Sequence, residues 1–378
     1  MPPRRRDRRR PRDPSPPPSD ARAPPSASGF RLTLLAPVVV LVLVVAALGF
    51  SGRLSRSPPH PQTLQTTAHS VYERGLVKRD VSAREILTEH TRVSENRSQR
   101  HFPNPVLAYV TPWNSKGYDM AKLFSAKLTH ISPVWYDLKR NMLVLEGEHN
   151  FDATWVSELQ SNGSLVVPRV VLEAFPAVVL LEKKQKTKAI DLIVSECRDK
   201  GYNGIVLESW SRWAAYGVLD DPQLRSMALQ FVKELGEALH SISSKSSSHH
   251  LELIYVIPAP RMQELNNQDF GPEDLLQLAD SVDGFSLMTY DFSGPQNPGP
   301  SAPLNWVQHS LTTLLSAKGS SRDHSRMIFL GINFYGNDFL LSRGDLGRLE
   351  RGWRRRLYLK LVTGRVPGPH RRGGAVIA

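Results

Sequence analysis

The stretch 201–210, GYNGIVLESW, ends an apolar run on a carboxylic acid, Glu208, two residues before Trp210. Its centre, GIVLE, reads as a short buried strand opened by the turn-like pair Asn203-Gly204. Side chains alternate faces along a strand, so Val206, Glu208 and Trp210 are predicted to share one. Other apolar runs end in the same way, on Trp113, Trp135, Glu173, Tyr290 and Asp291. Aromatic faces pack against the C–H faces of pyranose rings, and carboxylates accept from sugar hydroxyls. A mouth lined by both suits an oligosaccharide. Any single Trp here reads more simply as core filling; several at strand ends argue for a site.

Seven apolar runs must position these residues: 106–113, 128–135, 165–173, 204–210, 251–258, 282–291 and 327–336. Amphipathic helices lie between several of them. The clearest spans 223–240, with Leu224, Met227, Phe231, Leu235 and Leu239 on one stripe. Strands in series with helical crossovers predict an α/β fold, a TIM-type (β/α)8 barrel with its chemistry at the C-terminal strand ends. An open doubly wound sheet is the alternative, but no Gly-rich phosphate fingerprint follows the first strand. Only seven strands are readable. Beyond Arg343 the chain is basic and Gly/Arg-rich, and LYLKLV at 357–362 is the sole strand candidate. The barrel is therefore expected to be incomplete at its C-terminus.

The formal charge of +12 is confined to the ends. Residues 1–31 hold nine Arg against three Asp, and 343–378 hold ten Lys/Arg against two acids, which leaves −2 on the 311 residues between. With no basic-aromatic face in the body, nucleic acid is not an expected partner. The single cysteine, Cys197, lies in a helical pattern and reads as a structural thiol. No cofactor motif is found. His249-His250 and the other histidines are not spaced as a metal site, so no metal is expected.

Residues 1–31 are read as a disordered basic tail. Residues 32–50 are 19 uncharged, mostly apolar residues, enough at ~1.5 Å each to span a bilayer core of roughly 30 Å. With arginines in front, they predict a transmembrane signal anchor, type II and single-pass, with the barrel lumenal or extracellular; a cleaved signal is the alternative. A Ser/Pro/Thr linker covers 51–67, the barrel domain 68–343 and a basic, disordered tail 344–378. Sequons at Asn96 and Asn162 would be glycosylated on that side of the membrane.

At 282–291, VDGFSLMTYD resembles the sixth strand of glycoside hydrolase family 18, the chitinases and chitinase-like lectins, whose Met-x-Tyr-Asp is matched by Met288, Tyr290 and Asp291. The runs at 327–336, 106–113 and 128–135 look like that family's seventh, first and second strands; the likeness covers 72–343 and is closest to the chitinase domain-containing branch. Its fourth-strand motif, Asp-Gly-x-Asp-x-Asp-x-Glu, falls on Asn203, Gly204, Val206, Glu208 and Trp210. The resemblance thus implies that Trp210 stands where active members carry the general acid, and Glu208 where they carry the Asp that orients the acetamido group. The third-strand Ser-x-Gly-Gly pattern is absent.

An indole N–H cannot act as a general acid near neutral pH. What the resemblance implies is a catalytically inactive protein that binds chitin or N-acetylglucosamine oligosaccharides. Its expected carbohydrate-binding residues are Tyr109, Trp113, Trp135, Glu173, Glu208, Trp210, Met288, Tyr290 and Asp291. Two alternatives stay open: a glycosidase of altered mechanism using Glu208, Asp291 or Glu173 as acid, and a barrel scaffold that binds a protein partner.

Overall fold

The computed structural model describes residues 65–335 except 79–80, 90, 140–143, 174–181, 243–249, 262–263, 296 and 320–321, together with 376–377. At the start, β1 (Gln65–Thr67) pairs in parallel with β2 (Arg92–Ser94) around helix α1 (Ala83–Glu89). The barrel then begins with β3 (Leu107–Val110), α2 (Ser115–Leu123) and β4 (His130–Pro133). A hairpin of β5 (Tyr136–Lys139) and β6 (Val144–Glu146) leads to α3 (Ala153–Ser161). The third barrel position is split into β7 (Leu165–Val166) and β8 (Arg169–Leu172), followed by α4 (Lys183–Lys200). Next come β9 (Gly204–Glu208), the short α5 (Trp210–Ala215), α6 (Pro222–His240) and β10 (Glu252–Pro258). The series closes with α7 (Pro272–Leu278), β11 (Gly284–Met288), α8 (Leu304–Leu314), α9 (Arg322–Arg326) and β12 (Ile328–Leu330).

Parallel pairing runs β3 to β4, β4 to β7, β5 to β8, β8 to β9, β9 to β10, β10 to β11 and β11 to β12. These are the seven expected barrel positions in chain order. The free edge of β3 is taken by β13 (Val376–Ile377), which runs antiparallel to it; LYLKLV lies outside the described residues.

Strands β3, β4, β9, β10 and β11 read as unbroken apolar runs because both faces are buried. On β9, Val206 points into the barrel with Leu107, Tyr109, Val167, Ile254 and Val256, against Met288 and Phe329. Ile205 and Leu207 point outward, beneath the helices. Gly204 opens β9 at φ 151°, and a Cβ there would lie 2.1 Å from the Glu252 carbonyl oxygen, so only glycine fits.

Helix α6 starts where Asp221 accepts from the Gln223 and Leu224 N–H groups, with Pro222 in the first turn. Its buried stripe holds Ala228, Phe231, Val232, Leu235 and Leu239, while Met227 is exposed.

The expected transmembrane segment needs correction. Among the described residues no helix is long and apolar enough to cross a membrane. The longest, α4 and α6, are amphipathic and charged, and a bilayer core would leave those charges without water. Residues 32–50 lie outside the described residues. The single-pass, type II placement therefore does not carry forward.

Candidate functional site

At the C-terminal ends of β3, β4 and β8 a cleft of about 350 Å³ opens between Trp113, Trp135, Asp137, Glu146, Arg169, Glu173 and Arg212. Trp113 is 69 % exposed and presents its ring to solvent. Trp135 is buried; its indole N–H donates to the Tyr118 hydroxyl at 2.7 Å and its ring tilts against Trp155. Gly147 turns the chain just after β6 at φ 116°, where a Cβ would collide with the Trp135 carbonyl.

Charge is organised around two carboxylates. Glu173 accepts from Lys139 Nζ at 2.6 Å and from Arg212 Nη2 at 3.0 Å. The Lys139 hydrogen bond, outweighing burial, holds the Glu173 carboxyl below its ordinary 4.5. Asp137 behaves oppositely. Burial first, then the Glu173 charge, pushes its carboxyl above 3.8, despite Lys139, Arg169 and Arg212. Glu208, at the end of β9, is engaged by Arg169 of β8: Nε donates to Oε2 at 2.7 Å, and Nη2 reaches the same oxygen.

Strand alternation placed Val206 and Glu208 correctly but failed for Trp210. Strand β9 stops at Glu208, and α5 begins at Trp210. The period changes from 2 to 3.6 at Ser209, so Trp210 turns away from the mouth. It is fully buried, edge-on to Phe270, with Arg225 over its ring at 4.8 Å and its N–H donating to the Gln268 carbonyl at 2.8 Å. Arg212, about 200° round the same helix, faces the cleft instead.

The remaining expected residues fall into three places. Tyr109 and Met288 belong to the barrel interior; the Tyr109 hydroxyl donates to Ser286 Oγ at 2.8 Å, and burial pushes its pKa up. Tyr290 and Asp291 sit beyond β11 with Tyr335, whose hydroxyl donates to Asp291 Oδ2 at 2.7 Å. Asp291 adopts a left-handed φ of 57°, a conformation Asp tolerates better than most residues. Asn203 lies at the other end of β9, where its side-chain oxygen accepts from the Val166 N–H and from Gln160. Both sequon asparagines are exposed, but the Ser164 hydroxyl is buried on the Ser125 and Leu128 carbonyls.

Arg169, Asp137 and Arg212 were not singled out in the sequence. A signal for Arg169 existed: in VVPRVVLE the single basic residue shares the inward parity of Val167, Val171 and Glu173.

A family model described as glycosyl hydrolases family 18 matches residues 171–360. The uncharacterized glycosylase YvbX of Bacillus subtilis (strain 168) is 23 % identical over 176 residues, 46 % of this chain and 45 % of that protein. The chain thus spans less than half the length of that curated relative. Among solved structures, a class V chitinase mutant from the plant Cycas revoluta, in complex with (GlcNAc)3, is similar with a TM-score of 0.51 at 15 % identity, over 63 % of this chain and 71 % of that one. A chitinase from Chromobacterium violaceum aligns with a TM-score of 0.49 at 20 % identity, over 65 % and 75 %.

Proposed function

This chain belongs to the glycosyl hydrolases family 18, and we propose that within it the protein binds N-acetylglucosamine oligosaccharides without hydrolysing them. The observation that carries this reading is the fate of the fourth strand's end. The position matching the family's acid holds Trp210, fully buried in the outer core, and the carboxylate before it, Glu208, is tied to Arg169. Glycoside hydrolysis needs a carboxylic acid to protonate the leaving oxygen. Glu173 is held deprotonated by Lys139 and Arg212, which works against that role.

What supports binding is the cleft itself. Trp113 offers an exposed ring, and Asp137, Glu146, Arg169 and Arg212 offer fixed acceptors and donors around it. The ligand class follows from the family and from the (GlcNAc)3 held by the Cycas chitinase. Titration calorimetry of the full chain with (GlcNAc)3, paired with a fluorogenic chitooligosaccharide assay, tests both halves. Saturable binding without turnover is expected. Turnover that is lost in Glu208→Gln would overturn the inactive reading. Absence of binding would overturn the carbohydrate reading in favour of a protein-binding scaffold.

A further inference from the structure

We propose that His240, His250 and Asp283 form a binding site for a divalent transition-metal ion of the zinc class at the N-terminal end of the barrel. His240 is the last residue of α6, His250 lies just before β10 and Asp283 just before β11. Parallel strands place all three at the end opposite Glu208 and the cleft. Sequence spacing hides the site, because nine residues separate the histidines and Asp283 comes from a different strand.

Both imidazoles aim Nε2 at one carboxylate: His240 at Oδ2, 3.0 Å, and His250 at Oδ1, 2.7 Å. The two rings lie 4.2 Å apart, tilted by 49°. One potential ligand atom from each residue falls within 4.8 Å of the others. The carboxylate is already oriented by the Leu253 N–H, which donates to Oδ2 at 2.7 Å. One histidine would be enough to complete that anchor. A second, tilted against the first with the same atom aimed inward, exceeds what holding Asp283 requires. It matches a three-ligand set whose outer-shell partner is in place.

The donor chemistry selects the ion. Two imidazole nitrogens and one carboxylate suit Zn²⁺ and its neighbours, whereas Mg²⁺ and Ca²⁺ prefer oxygen alone. Zinc–nitrogen bonds of about 2.0–2.1 Å in a tetrahedron separate ligand atoms by roughly 3.3 Å. The nitrogen–oxygen contacts of 2.7 and 3.0 Å and the 4.8 Å limit on the set lie either side of that spacing, so side-chain rotation has to bring the three atoms to it. The ion would take the Nε2 lone pair of each neutral imidazole, with the ring proton carried on Nδ1. The His250 side chain is 44 % exposed, which leaves water the fourth position. Bound there, the ion would clamp the end of α6 and the starts of β10 and β11.

The test uses the full chain, without an oligohistidine tag and stripped by chelator. Titration with Co²⁺ should give the visible d–d absorption of a tetrahedral ion at one equivalent, displaced by Zn²⁺. Zn²⁺ should raise Tm where Mg²⁺ does not. Separate His250→Gln and His240→Gln variants, with circular dichroism unchanged, should each weaken Zn²⁺ binding by at least about 100-fold, more than loss of an outer-shell partner costs. No binding in the parent chain, or binding equally tight in both variants, would overturn the site and leave a hydrogen-bonded His–Asp–His contact.

Discussion

Arg169 donates its Nε–H to one oxygen of Glu208 and pairs its Nη2 with the same oxygen as an ion pair, across the β8–β9 pair at the barrel mouth. Both side chains are mostly shielded, 22 % and 17 % exposed. In Arg169→Met, Glu208 loses a charged partner it cannot replace fully with water. A loss of about 1–3 kcal/mol is expected, read as a lower urea midpoint. Adding Glu208→Gln should recover part of it. Strictly additive losses would mean the pair is uncoupled.

The two tryptophans singled out in the sequence should separate by phenotype. Trp113→Ala is expected to weaken (GlcNAc)3 binding by about 1–3 kcal/mol, as for an aromatic anchor, with Tm unchanged. Trp210→Ala removes a fully buried indole and should cost about 3–5 kcal/mol of stability. Titration calorimetry and thermal melts on both variants check the contrast. An equal effect of the two on binding would place Trp210 at the ligand.

Glu173 and Asp137 should respond to acid with opposite signs. The Glu173 carboxyl is held down in the folded state, so its contribution is present above 4.5 and lost as pH falls through its lower folded value. Glu173→Gln should therefore destabilise near neutrality, with the difference vanishing in acid. The Asp137 carboxyl is pushed up, so its ionisation costs stability above its folded value. Asp137→Asn should raise Tm at neutral pH and lose that advantage as pH falls through the raised folded value towards 3.8. Melts across an acid series test both.

Cys197 should not label in the native protein. It is fully buried, its thiol is pushed up to about 12 by burial, and its Sγ approaches the Gly204 carbonyl at 3.6 Å. A thiol reagent is expected to react only after denaturant is added; rapid native labelling would show that α4 opens locally.

By itself the sequence determined the seven barrel strands, because those up to β11 are buried on both faces and must be apolar almost throughout, and β12, though only partly buried, keeps the same apolar run. It also placed Val206 and Glu208, since strand parity is a local property. It could not place Trp210. That depended on where β9 ended, and a single change from strand to helix at Ser209 rotated the side chain into the core. Nor could it pair Arg169 with Glu208, or bring His240 and His250 to Asp283. Those groups are 39, 43 and 33 residues apart in the chain. The register between neighbouring parallel strands, and for His240 the seat of α6 on them, sets these groups in contact, and both are fixed by packing of the whole barrel rather than by any local segment.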